Sequence, residues 1–231
     1  MRAALVICLL AACSAEDDAT GPDGGDADGG SDGDAQDMTA ELLRQRVAGC
    51  TNLLGGPYAP GSGKPATIDV CGFPGAVVWL ADLDIDCDGQ VTAQCNPQTD
   101  PYFMNQTAAT DSMGAPLDAA ALPFVVVPGA SVRFDYRDED LRLGSVVAVV
   151  YQDRVEYGPL GDVGPAAYIG EASYAMAERL GIDPDPATGG TDDPVLYVAF
   201  TGTTGRVEIM EDHAEAAEIG VMRVRELLEA P

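Results

Sequence analysis

Two acids in one glycine-rich segment are of a type and placement that could do chemistry together. The run Tyr157-Gly-Pro-Leu-Gly-Asp162-Val-Gly-Pro-Ala-Ala-Tyr-Ile-Gly-Glu171-Ala-Ser-Tyr-Ala-Met-Ala places Asp162 in a glycine-bracketed turn and Glu171 behind another glycine at the mouth of a helix. Glycines beside an acid let backbones approach closely and leave the side chain open to a ligand. A carboxylate near a helix N-terminus also meets the positive end of the helix dipole, which favours its ionised form. Two carboxyl groups on separate elements can flank a bond, one protonating a leaving oxygen while the other activates a water. Cleavage of a glycosidic bond requires that arrangement. The same two residues also suit a turn aspartate and a helix N-cap, both common roles, and residue types alone leave that reading open.

Further acids lie upstream. Asp82, Asp84 and Asp86 alternate along one run, and Asp84-Ile-Asp86-Cys-Asp88-Gly89-Gln-Val-Thr follows the opening of an EF-hand loop. The bidentate glutamate that should end such a loop is replaced by Cys95. Calcium on Asp84, Asp86 and Asp88 is therefore the weaker alternative to a substrate-binding or structural role, and no metal or cofactor is expected. His213 is the only histidine, which disfavours zinc and Ser–His chemistry. Trp79, the only tryptophan, sits in an apolar run with Val77 and Val78 and reads as core rather than as a sugar platform.

The elements that must hold these groups are mainly short strands. Ala76–Leu80, Phe124–Val127, Ser131–Tyr136, Val146–Tyr151 and Leu196–Phe200 are rich in Val, Phe and Tyr and are bounded by Gly, Pro or Asp. One helix is expected over Tyr174–Leu180, stopped by Gly181, and another over Met38–Ala48 with Leu42, Leu43 and Val47 on one side. Gly55–Pro65 reads as loop. Val207–Leu228 reads as an amphipathic helix with an acidic face, in which His213 is solvated. The result is a single α+β domain over residues 38–231, with a mainly β core (about 66–205) and a C-terminal helix (206–229).

Nine of the 38 acidic residues fall between Glu16 and Asp37, leaving 29 against 11 arginines and lysines in the domain. A surface so negative disfavours nucleic acid and suits a cationic polymer. Residues 1–12 have the form of a signal peptide: Arg2, then an apolar run from Ala3 to Leu10 that is too short to cross a bilayer. Leu10-Ala11-Ala12-Cys13 fits a bacterial lipobox, with Cys13 as the acylated residue and Ser14 directing the product to an outer membrane or cell surface. Residues 13–37 are almost wholly Asp, Gly, Ala and Ser and read as a disordered tether. In an exported domain, Cys50, Cys71, Cys87 and Cys95 imply two disulfides; the short local pairings Cys50–Cys71 and Cys87–Cys95 are expected. No repeat is visible, and a monomer is expected.

Four segments carry a resemblance. W-L-A-D-L-D-I-D-C-D-G, L-P-F-V-V-V-P, Y-G-P-L-G-D…I-G-E-A-S-Y-A-M-A and D-P-V-L-Y-V-A-F-T-G, in this order over roughly Val77–Gly202, resemble glycoside hydrolase family 75, the fungal and bacterial chitosanases. The resemblance implies inverting endo-hydrolysis of the β-1,4 bonds of chitosan, here by a bacterial lipoprotein. It places the catalytic pair on Asp162 and Glu171, taken as base and acid respectively. The ammonium groups of chitosan would give Asp82, Asp84 and Asp86 a binding role, and Tyr157 is a further candidate for substrate contact. The third segment also resembles double-psi β-barrels, which implies a six-stranded barrel with a short internal helix wrapped on one side. A peptidoglycan-acting enzyme on the same barrel and a non-catalytic polysaccharide-binding lipoprotein are the alternatives. The helix beyond Arg206 lies outside the resemblance.

Overall fold

A computed structural model describes residues 32–230. The signal segment, Cys13 and the tether as far as residue 31 lie outside the described residues. Strands made almost wholly of Val, Ala and aromatic residues cannot be one-sided, and here each is buried on both faces. In β3 (Ala76–Asp86), Val77, Trp79, Ala81 and Leu83 point into one cluster, while Ala76 and Val78 point into another. The same alternation runs through β5 (Val146–Tyr151) and β8 (Thr191–Phe200).

These strands close into a ring. β3 pairs with β7 (Glu171–Ser173), β7 with β4 (Val125–Pro128), β4 with β6 (Arg154–Gly164), β6 with β5, β5 with β8, and β8 back to β3. The barrel is six-stranded, as expected, and contains two parallel pairs, β3–β7 and β4–β6. β1 (Leu53–Tyr58) and β2 (Ile68–Phe73) extend the sheet from the N-terminal half of β3. The first cluster fills the barrel, and Trp79 lies inside it, stacked on Tyr197 with ring centroids 5.2 Å apart. The second cluster lies between the barrel wall and two helices, α1 (Asp32–Arg46) and α3 (His213–Glu229). A third seals the long connection between β3 and β4 against the strands. Each aliphatic side chain buried in this way contributes about 1.5–3 kcal/mol.

Several expectations are corrected. Ser131–Tyr136 is not a strand: Asp135 accepts from the Arg137 amide and caps a 3₁₀ turn over Tyr136–Glu139, and Ser131 accepts from the Arg133 amide. Such local side-chain bonds compete with a strand ladder. Part of Gly55–Pro65 is strand rather than loop, since β1 ends at Tyr58. α1 begins at Asp32 rather than Met38, within the last residues of the stretch read as tether; no proline interrupts it. α3 starts at His213, later than expected, because Asp212 caps it by accepting from the Glu215 amide. The helix α2 (Tyr174–Leu180) has its expected bounds, and both expected disulfides, Cys50–Cys71 and Cys87–Cys95, are formed.

Candidate active site

The acids gather on the outer face of four neighbouring strands. With Ala81 and Leu83 turned into the barrel, Asp82, Asp84 and Asp86 on β3 face outward. On β7, Ala172 is interior, so Glu171 faces outward. On β6 the register against β4 slips: Val125 faces Leu160, but Val126 faces Asp162, leaving Gly161 as an extra residue. This bulge turns Asp162 outward although Leu160 points in. Register then sets one row across the sheet, running Asp84, Glu171, Val126, Asp162. Glu171 and Asp162 thus stand on either side of β4, two strand spacings or about 10 Å apart at Cα.

Neither acid has the local role that its residue type also suited. Asp162 lies within β6 rather than in a turn, and Glu171 lies in a strand rather than capping α2. The cap is Ser173, whose buried hydroxyl accepts from the amides of Met176 and Phe124 and donates to the Leu122 carbonyl. Two glycines leave room for the acids. A Cβ on Gly164 would lie 2.6 Å from Glu171 Oε2. Gly170, at φ +111°, would place a Cβ 2.5 Å from Asp82 Oδ1.

The electrostatics separate the pair. Asp162 is 9% exposed, and its Oδ1 accepts from the amides of Ala108 and Val163, each at 2.7 Å. Burial raises its pKa, and these two donors oppose the rise by favouring the charged form. Among the described residues no amide donor opposes the rise at Glu171. Burial, followed by the charges of Asp84, Asp162 and Asp88, pushes its carboxyl up to about 7. The two groups therefore differ: at Asp162 two amide donors offset part of the rise due to burial, whereas Glu171 is a carboxylic acid that keeps its proton near neutrality.

The remaining acids crowd the same face. Burial raises Asp82 to about 7, with Asp84 adding to it, and Asp88 to about 6 against a bond from the Met104 amide. Burial raises Asp84 and holds Asp86 well above the usual carboxylate range. Carboxylate oxygens of Asp86, Asp88 and Asp162 lie within 4.8 Å of one another, and these are the residues that could hold a cation. Asp84 is outside that group, and Cys95 is bonded to Cys87, so the EF-hand pattern does not form a loop of that kind. Three carboxyls so close share protons or a counter-charge, because full ionisation would be repulsive.

Tyr157 is not in this constellation. It lies in the half of β6 paired with β5, under α3, where a Cβ on Gly220 would be 2.1 Å from its ring. Its burial there pushes the phenol up to about 12. His213 is not solvated either; its ring Nε2 lies 2.9 Å from Glu156 Oε1 at the start of α3. The Ala108 amide and the acid-binding Met104 amide were not readable from the sequence. They come from an irregular loop whose approach to β6 no local pattern encodes.

Comparison with known proteins points to one family. Residues 83–227 match the model of a family described as fungal chitosanase of glycosyl hydrolase group 75. The match runs into α3, so that helix belongs to the similarity, contrary to expectation. The chain is 34% identical to endo-chitosanase B of Aspergillus oryzae over 135 residues, 55% of this chain and 56% of that protein. It is 32% identical to another endo-chitosanase of Aspergillus oryzae over 174 residues, 66% of this chain and 71% of that protein. An endo-chitosanase of Aspergillus fumigatus is 28% identical over 167 residues, 66% of this chain and 70% of that protein. The chain thus spans little more than half of the first of these relatives.

Proposed function

Since the chain belongs to glycosyl hydrolase group 75, the chitosanase family, we propose that it hydrolyses chitosan internally and inverts the anomeric carbon, with Glu171 as general acid and Asp162 as general base. The observation that carries this reading is the strand register, with the two carboxyls on either side of β4. An inverting pair needs about 6.5–9.5 Å between carboxyl groups so that a water fits between base and sugar. A Cα separation of about 10 Å is compatible with that gap.

On this reading, Glu171 gives its proton to the glycosidic oxygen as the bond breaks. Asp162, its charge supported by two amides, takes a proton from the water attacking the opposite face of the sugar. The surrounding acids favour a substrate that carries ammonium groups, and Asp82, Asp84 and Asp86 lie on the face it would cross. The two disulfides suit a domain working outside a reducing cytoplasm. Attachment through an acylated Cys13 is a further part of the proposal. The decisive experiment is release of reducing ends from chitosan by Asp162→Asn and Glu171→Gln, each checked for folding by circular dichroism. Each variant should lose at least about a hundredfold in kcat. Near-wild-type turnover by either variant overturns its assigned role.

A further inference from the structure

Among the described residues, Tyr102 is the one exposed aromatic side chain, 87% accessible, while every other Trp, Phe and Tyr is at least partly buried. It is not exposed because its loop is loose. The loop follows the Cys87–Cys95 disulfide, and the Tyr102 amide donates to Oδ1 of the buried Asp100 at 2.8 Å. Phe103 turns into the cluster beneath the loop. The Met104 amide then donates to Asp88 Oδ1 at 2.6 Å, and further along the Ala108 amide holds Asp162. Backbone geometry and these contacts together put the Tyr102 Cα within about 14 Å of the Asp162 carboxylate.

We propose that Tyr102 is a sugar-stacking residue, presenting its ring face to a pyranose unit of the bound polysaccharide at one end of the acidic groove. The inference rests on the chitosan reading above and deepens it. A glucosamine ring offers an apolar C–H face together with an ammonium group. Tyrosine supplies an amphipathic plate at low conformational cost and attracts a nearby cation to its π face, while the acids beside it pair with the ammonium. The loop that holds the ring also donates the Ala108 amide to Asp162, so the plate is fixed relative to the catalytic pair. Tyr102 is a specificity-determining contact and takes no part in bond breaking.

The test compares wild type with Tyr102→Ala, Tyr102→Phe and Tyr102→Trp on polymeric chitosan and on glucosamine oligomers of increasing length. Tyr102→Ala should raise KM roughly three- to tenfold on the polymer and long oligomers, with kcat and Tm unchanged. The effect should vanish on oligomers too short to reach the ring, and Phe and Trp should restore KM. Unchanged KM for Tyr102→Ala on the polymer overturns the proposal, as does equal loss in Ala and Phe. If wild type leaves chitosan uncut, the functional reading fails by itself. Stacking is then read from co-sedimentation with insoluble chitosan and cellulose, where equal retention of wild type and Tyr102→Ala overturns it.

Discussion

Replacing Gly164 by alanine adds one methyl group behind Glu171, the proposed general acid. That carbon would lie 2.6 Å from Glu171 Oε2 and 3.0 Å from Val126 Cγ1. Val126 is buried and held in β4, so the carboxyl group yields. Regaining ordinary contact requires Oε2 to withdraw by roughly 1 Å. A misplacement of that size at a reacting group costs about a hundredfold in rate, equivalent to about 2.7 kcal/mol of barrier. The fold itself should tolerate the change. The severe clash falls on the tip of a flexible side chain, and the strain of the 3.0 Å approach to Val126 is set against the smaller entropy loss of alanine on folding, worth about 0.4–1 kcal/mol. The assay is kcat and KM for reducing-end release from chitosan, beside a thermal melt. We expect kcat to fall roughly a hundredfold, with KM and Tm close to wild type. A kcat within about twofold of wild type, at unchanged Tm, would refute the positioning argument.

Two pH predictions follow from the raised carboxyls. In the proposed mechanism turnover needs protonated Glu171, held at about 7, so kcat should fall as pH rises through that value. Asp84→Asn removes one of the charges that sustain this proton, so the basic limb should move to lower pH; a limb that stays put or moves up contradicts the assignment of Glu171 as the acid. Stability should follow the same sign. Asp82 and Glu171 at about 7 and Asp88 at about 6 keep protons in the folded state that the unfolded chain releases near pH 4. Tm should therefore decline as pH rises from about 4 to about 7, and a Tm that climbs over this range at fixed ionic strength would sink the account.

The readability of the chain depended on whether a segment's burial was local or conferred by distant partners. β5 and α2 have the bounds that composition suggests, because a valine-rich apolar run and a serine-capped, glycine-stopped helix carry their own signals. β6 is different. Its Gly-Pro-Leu-Gly looks like a turn, and only pairing with β4 and β5 makes it a strand. Asp162 and Glu171 were identifiable as a pair by residue type and motif order. That they share a face depends on the bulge at Gly161, which no pattern of alternation discloses. Tyr157 was misplaced because five residues along a strand span about 17 Å, enough to carry it from the groove to the underside of α3. The Ala108 amide was invisible because a backbone donor leaves no mark on residue identity.

The β3–β8 seam has a consequence for how the molecule comes into being. All other strands of the ring precede Thr191, so a growing chain can assemble β3, β7, β4, β6 and β5 as an open sheet with two bare edges. Bare edges invite pairing with other chains. The strand that abolishes both is the last to be made, joining Ala76 to Phe200 across most of the domain. Closure of this kind is slow, since distant segments must meet before their contacts stabilise anything. The final strand is therefore the molecule's protection against its own aggregation as much as a wall of its barrel, and shortening the chain before Phe200 should yield inclusion bodies rather than a smaller folded domain.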